Sequence, residues 1–555
     1  PSADVSLFNS KTTRLVQEKS NDKNVSLFAY PLKDLYLRGS FSNGLPNGGR
    51  ITGVQMLIAF GVFMLLIACI NFMNIATAQS EQRAKEVGVR KTLGASRKWI
   101  IFQFLNESFM VTFLSLFVAI GLAVMITPSF NTLTHSHIQF DFTSLSIWLL
   151  VTGITIVTAL LAGSYPSFFL SRFMPARVLK GRISIKGGGL RKSLVTFQFA
   201  ISIFFLIGTI IMYAQVGHVR NRPLGYEQEN LVDIQLDSML SAKFAYLKTE
   251  IAKISGVTSI TGVSNNILYS GGAVTGMDWP GKQPGEDLSV AIAHVGYDWT
   301  KTMQIQIIQG RDFNPVFASD VSACIINQSA VDKMGLQNPI GAMVGGHPVI
   351  GVFQNFVYNN PFGSISPMAV YLNSGNVNHL YVRVQNNSGW RETLSRIEKL
   401  TKDISPEFPF RFSFTKEKYQ HRFSEASDTS IMMSIFAGMT IFISCLGLFG
   451  LSGFVAERRS KEMSIRKVFG ATMLRILVSL SQDFLKPVFY ALVLIIPLSI
   501  FIAQQVLSNF TYRVALSWWM FVSAGIMILL IAVLIVLYHG WRTARENPVL
   551  RLRNE

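Results

Sequence analysis

Cysteine is almost missing from these 555 residues. Cys69, Cys324 and Cys445 stand far apart, two of them inside apolar runs, at spacings that fit neither a disulfide framework nor a zinc site. Histidine is sparse as well. The eight histidines form no metal-type cluster, and His135 and His137, two apart in a loop, are better read as solvated. No Ser/His/Asp arrangement can be argued from spacing. Gly187-Gly-Gly-Leu-Arg-Lys-Ser193 has the wrong spacing for a phosphate loop and runs straight into an apolar segment, so it reads as a linker. The expectation is therefore no catalytic residue, no metal site and no cofactor-binding residue. Charge is scarce too: 15% of residues are charged against 49% hydrophobic. That is the profile of an integral membrane protein with a soluble portion.

Acidic residues are outnumbered, 32 to 50, giving a net charge of +18. The distribution decides what this means. Residues 218–425 carry 18 basic and 18 acidic groups, so the whole excess lies in the remainder of the chain. There it concentrates in short segments between apolar runs, as the positive-inside rule expects. Topology explains the charge, and no nucleic-acid partner is expected.

Seven apolar runs, at about 53–78, 103–127, 146–170, 193–215, 430–455, 479–503 and 517–539, each approach the ~20 residues a membrane-crossing helix needs. Helix is the only conformation in which such a run satisfies its own backbone. Segments 79–102, 171–192 and 456–478 are rich in Lys and Arg, whereas 128–145 has neither and 504–516 has only Arg513. The basic segments are expected in the cytoplasm and the others outside, an assignment that alternates correctly through all seven spans. Residues 216–429 then lie outside. Runs such as Val290–Val295, Ala323–Ile326, Val349–Phe353 and Leu380–Val384 read as strands, and Ser241–Ile254 and Gly389–Lys402 as helices. The fold class expected is an α-helical integral membrane protein with a large α+β extracytoplasmic domain.

The organising feature is a repeat. Residues 79–96 recur 376 positions later as 455–472, with Glu81, Arg83, Lys85, Glu86, Arg90, Lys91, Gly94 and Ala95 unchanged. Internal repetition is strong evidence of architecture. Each half also ends in a basic tail, Pro175-Ala-Arg-Val-Leu179-Lys180 and Pro548-Val-Leu-Arg-Leu552-Arg553. The organisation expected is the end of an earlier extracytoplasmic domain (1–50), a first three-span domain (51–180), a cytoplasmic linker (181–192), a span (193–215), the extracytoplasmic domain (216–429) and a second three-span domain (430–555). Lys33-Asp-Leu-Tyr36-Leu-Arg38 resembles Lys416-Glu-Lys-Tyr419-Gln-His-Arg422, and the chain opens at Pro1 without a signal peptide. Further residues, including an eighth span, are expected upstream.

Each repeat copy should be a short amphipathic helix on the cytoplasmic face. Val89 and Leu93 share one side, as do Ile465 and Phe469. Gly94 and Gly470 suit the left-handed residue that ends a helix, and Ser96 and Thr472 can cap the next. Positive charge alone could set topology or touch anionic lipid, but neither purpose needs a fixed residue order or the acids Glu86 and Glu462. A lever gripped by a partner does. Glu107 and Asp483 also share a repeat position, near the cytoplasmic ends of their spans; intramembrane acids are functional candidates, and an interfacial role is the alternative. Asn71 and Asn74 could pack or hydrogen-bond between helices.

The paired Lys-Glu-x-x-x-Arg-Lys-x-x-Gly-Ala segments, the Pro-x-x-x-Leu-[Lys/Arg] tails and the span plan resemble the FtsX-like permeases of ABC transporters. Gly310-Arg-Asp-Phe313, Ile326-Asn-Gln-Ser-Ala330, Pro339-Ile-Gly341 and Val349-Ile-Gly-Val-Phe-Gln-Asn-Phe356 resemble the periplasmic core domain of the MacB-like members. The resemblance implies a permease that is not itself an enzyme, in the bacterial inner membrane, with ATP bound and hydrolysed by separate nucleotide-binding subunits. It implies that Glu86, Arg90, Lys91 and Gly94, with Glu462, Arg466, Lys467 and Gly470, contact those subunits. ATP-driven movement of the spans would then reshape the outer domain and drive export, with membrane lipid and a periplasmic adaptor protein as further partners. The alternative within the same resemblance is an FtsX-type signalling protein that controls an extracytoplasmic partner such as a cell-wall hydrolase.

Overall fold

The computed structural model describes residues 5–20, 26–42, 45–134, 137–171, 188–266, 272–358, 361–372, 377–385, 389–421, 423–458, 462–463, 465–466, 469–470 and 472–545. The basic tails at 175–180 and 548–553, and Lys467, lie outside these residues. The chain divides into two compact units, one of residues 1–209, 432–499 and 518–555, the other of 210–431 and 500–517.

Two short helices, α1 (Val5–Ser20) and α2 (Leu32–Arg38), and a hairpin of β1 (Phe41–Ser42) with β2 (Leu45–Pro46) come first. Long helices follow: α3 (Arg50–Thr92), α4 (Arg97–Thr134), α5 (Leu145–Leu170), α6 (Gly188–Arg220) and, after the α/β domain, α13 (Ser424–Arg458), α14 (Met473–Leu507) and α15 (Trp518–Arg545). Among the described residues, these seven are long and apolar enough to cross a membrane, at the places the apolar runs predict.

Small and hydroxylated residues let these helices approach closely, as membrane helices require in the absence of a hydrophobic drive between them. On α6 and α13, the Ser202 and Ser444 hydroxyls lie 2.8 Å apart, and the Thr209 hydroxyl donates to the Met433 carbonyl at 3.3 Å. Ile67, Ile201, Phe205 and Ala437 form a small apolar core beside them. On α3, the Asn71 amide donates to the Ile443 carbonyl of α13 at 2.5 Å, over Gly447. Asn71 therefore bonds between helices, one of the two roles expected of it.

The second unit contains an eleven-stranded mixed sheet. Its strands are β3 (Leu231–Gln235), β4 (Val257–Val263), β5 (Ala273–Val274), β6 (Val290–Val295), β7 (Ile307–Gly310), β8 (Cys324–Asn327), β9 (Met343–Val344), β10 (His347–Phe353), β11 (Met368–Leu372), β12 (His379–Val384) and β13 (Phe412–Phe414). The order is β13-β3-β12-β4-β6-β11-β8-β10-β7, with β5 on β6 and β9 on β10. The β6–β11 and β8–β10 pairs are parallel and the other pairs antiparallel. Helices α7 (Ser238–Ala242), α8 (Phe244–Ala252) and α11 (Trp390–Ile404) pack Leu240, Leu247, Ile251, Leu394 and Ile397 against β3, β4 and β12. Helix α10 (Gln328–Met334) adds Ala330, Val331 and Met334 to a second core. Its start is set by Asn327, whose side-chain Oδ1 accepts from the Ala330 backbone amide at 3.0 Å, and its end by Gly335 at φ 65°. Two further short helices are α9 (Trp299–Met303) and α12 (Thr415–His421). The α+β class and all four strands expected from the sequence are present.

Candidate functional site: the repeated helix ends

The first repeat copy is not a separate short helix. Helix α3 runs unbroken from Arg50 to Thr92, so residues 80–92 are a continuation of the span that ends at Gln79. No proline interrupts 79–92, and although Gly88 costs about 1 kcal/mol relative to alanine, the surrounding Lys, Glu, Ala and Arg are good helix formers. A movement at the tip would therefore enter the membrane segment without passing a hinge.

The stop after Thr92 is chemically specific. Gly94 adopts φ 94°, the Gly94 amide donates to the Lys91 carbonyl at 3.1 Å, and the Ala95 amide donates to the Arg90 carbonyl at 3.0 Å. This pair of bonds closes a Schellman turn, which needs a left-handed residue. The Ser96 hydroxyl then accepts from the Trp99 amide at 3.3 Å and starts α4. The second copy is built alike where it is described: Gly470 has φ 87°, and the Thr472 hydroxyl accepts from the Arg475 amide at 3.4 Å. Both elbows are those the sequence predicts.

The polar residues named from the sequence divide into two groups. Glu86 and Arg90 pair one turn apart at 2.5 Å, and Glu462 and Arg466 do the same at 2.5 Å. Arg90 and Lys91, however, also bond within the chain. Arg90 donates to the Gln103 side chain of α4 at 2.6 Å, and the Lys91 ammonium donates to the Ser171 carbonyl beyond α5 at 2.7 Å. Burial there, with Arg97 nearby, pushes the Lys91 ammonium below its ordinary range. Arg83 adds a third link, forking onto both oxygens of Glu107 on α4 at 2.8 Å. Beneath these bonds Val87, Ile100, Phe104 and Leu170 form a buried apolar cluster, and Met463 is buried at the repeat position of Val87. The helix end is thus braced against α4 and the end of α5.

What the tip presents outward is apolar. Leu93 is 82% exposed and Phe469 86%, each immediately before its glycine, with Val89 and Ile465 half exposed one turn back. Exposed apolar side chains at matching positions of two copies are candidates for contact with a partner. Spacing showed that these residues share a side, but not that the side is open. Gln103 and Ser171, the acceptors that brace the lever, had no signal in sequence. Glu107 did, through its repeat partner Asp483. Among the described residues no group of three or more metal-ligating side chains occurs.

Residues 58–175 and 434–548 each match the FtsX-like permease C-terminal family, so the chain carries two FtsX-like permease domains. Similar curated proteins include the macrolide export ATP-binding/permease protein MacB of Bdellovibrio bacteriovorus, 28% identical over 138 residues, which are 24% of this chain and 20% of that protein. MacB 2 of Aeromonas hydrophila is 30% identical over 128 residues, 23% of this chain and 20% of that one. The uncharacterized ABC transporter permease YknZ of Bacillus subtilis is 37% identical over 76 residues, 13% of this chain and 19% of that one. The matches thus span about a fifth of the length of these relatives. Among solved structures, the periplasmic region of MacB from Actinobacillus actinomycetemcomitans aligns with 36% of this chain and 94% of its own, at 15% identity and a TM-score of 0.26.

Proposed function

We propose that this chain, an ABC-transporter permease of the FtsX/MacB type by its two FtsX-like permease domains, converts ATP hydrolysis on separate nucleotide-binding subunits into movement of its membrane helices. The observation that carries the reading is the pair of matched tips. Leu93 stands exposed at the end of a helix that continues into the membrane, Phe469 is exposed at the same repeat position, and each is followed by a glycine in the left-handed conformation. An apolar knob seated in a groove of an ATPase subunit gives affinity, while the neighbouring Glu86–Arg90 and Glu462–Arg466 pairs give register. Because the first lever is continuous with its span, closure of the ATPase subunits would move α3 directly. The α/β domain, placed outside by the charge asymmetry, would change shape in response and drive extrusion of substrate from the outer side of the inner membrane. A periplasmic adaptor would complete the path in an envelope with two membranes. Macrolide export is named for two of the relatives, so a macrolide is the first substrate to test on this chain.

The test is co-purification of the chain with a co-expressed ABC ATPase subunit, for wild type and for Leu93→Asp combined with Phe469→Asp. The expected result is a stable wild-type complex whose ATPase rate changes with the permease present, and loss of binding in the variant. Equal retention of the subunit by both proteins would reject the tips as its contact. Coupled ATPase whose rate does not respond to a macrolide, with no macrolide bound by the chain, would reject macrolide as the substrate and favour the regulatory role.

A further inference from the structure

We propose that the Arg83–Glu107 ion pair is a rivet that makes the end of α3 and the start of α4 turn as one body; the second repeat keeps the same two charges in its sequence, as Arg459 and Asp483. The inference deepens the lever reading above and rests on it for its functional consequence, but the rivet itself can be tested without a partner.

Among the described residues, three side-chain links tie the helix end to the rest of the membrane unit, and they are not equivalent. The Lys91 bond goes to a backbone carbonyl, which any residue supplies. The Arg90 bond goes to Gln103, whose counterpart 376 positions later is Ser479, too short to take the same role. Only the Arg83–Glu107 link has both partners kept as opposite charges in the second copy, as Arg459 and Asp483. Arg459 and the side chain of Asp483 lie outside the described residues.

The geometry suits a rigid joint. Both guanidinium nitrogens of Arg83 reach the Glu107 oxygens at 2.8 Å, a fork that fixes orientation as well as distance. The guanidinium also lies over the Phe104 ring, 5.8 Å from its centroid, so the same arginine grips α4 twice, three residues apart. The pair borders a cavity of about 140 Å³ that also reaches Gln79, Ser108 and Pro166, drawn from α3, α4 and α5. An acid within an apolar span is costly, and topology has no use for it. A mechanical role explains why both copies keep one at this position. Arg83 acts through Glu107 and contacts no substrate; both are positioning residues.

The experiment compares wild type, Arg83→Glu, Glu107→Arg and the reversed pair Arg83→Glu/Glu107→Arg as full chains in lipid vesicles. Hydrogen exchange of the 84–93 backbone reads the rivet. Retention of a co-expressed ABC ATPase subunit and the permease-dependent change in its ATPase rate read the consequence. Each single reversal is expected to raise exchange by at least about threefold and to weaken the ATPase response while the subunit stays bound. The reversed pair is expected to restore both. Unchanged exchange in the single variants, or no restoration in the reversed pair, overturns the rivet. A wild-type chain that binds no ATPase subunit would sink the lever reading, and the exchange data would still decide the rivet.

Discussion

Asn71 and Gly447 occupy the same position of the two repeats, 376 residues apart, and they pack against each other. A β-carbon built on Gly447 would fall inside the Asn71 amide, which itself donates to the Ile443 carbonyl at 2.5 Å. One turn on, Gly450 meets Ile75 and shares its repeat position with Asn74, also buried. Equivalent residues in contact mean that the copies meet as two subunits of a twofold dimer would, here within one chain.

The seam has little room. Gly447→Leu should force α3 and α13 apart at a cost of about 1–3 kcal/mol and lower the melting temperature of the purified chain. Gly438→Leu, on the same helix where a β-carbon meets nothing within 4 Å, should leave it near wild type. Equal melting of the two variants would show that the seam is not close-packed.

Gly94 and Gly470 have empty space around them, so a methyl group there meets no neighbour. Their φ angles of 94° and 87° nevertheless penalise any side chain. Gly94→Ala should therefore cost about 1 kcal/mol through the backbone alone. Faster hydrogen exchange of the Gly94 and Ala95 amides is the expected readout, and slower or unchanged exchange would contradict it.

Cys324 is fully buried on β8, and burial pushes its thiol up to about 12. Alkylation needs the thiolate, a fraction of about 10⁻⁵ at neutral pH for such a thiol. N-ethylmaleimide should leave Cys324 unmodified in the folded chain and modify it in denaturant, read by peptide mass spectrometry. Rapid labelling at pH 7 under native conditions would mean that β8 opens readily.

Asp320 accepts two bonds from Arg311, at 2.7 and 2.6 Å, and one from the Asn314 amide at 2.9 Å. The Arg311 guanidinium holds this carboxyl below the usual carboxylate range, against the opposing effect of burial. A depressed folded value means that the unfolded chain binds the proton first. The stabilisation is complete above about pH 4 and is lost as pH falls through the folded value. Denaturant titrations of Asp320→Asn should show lower stability at neutral pH and a flatter dependence below pH ~4. A slope like wild type would remove Asp320 from the acid response.

Much of this architecture is legible in the sequence because it depends on local physics. Some twenty consecutive apolar residues can satisfy their backbone in a bilayer only as helix, so the seven spans were readable. Alternating apolar strands such as Val290–Val295 and glycines at helix ends, such as Gly94, depend on residues within a few positions of themselves. The repeat likewise needed only comparison of 79–96 with 455–472.

What the tertiary structure decided are relations set by how helices rotate and cross. The unbroken course of α3 through Thr92 replaced the expected separate helix. Arg90 and Lys91 bond to Gln103 and Ser171, and Leu93 and Phe469 stand exposed. Arg83 meets Glu107 across 24 residues of sequence, and Asn71 meets the Gly447 backbone across 376. A periodic pattern tells which side of a helix is apolar, but many neighbours could cover that side at similar cost. Only the packed arrangement of α3, α4, α5 and α13 selects among them.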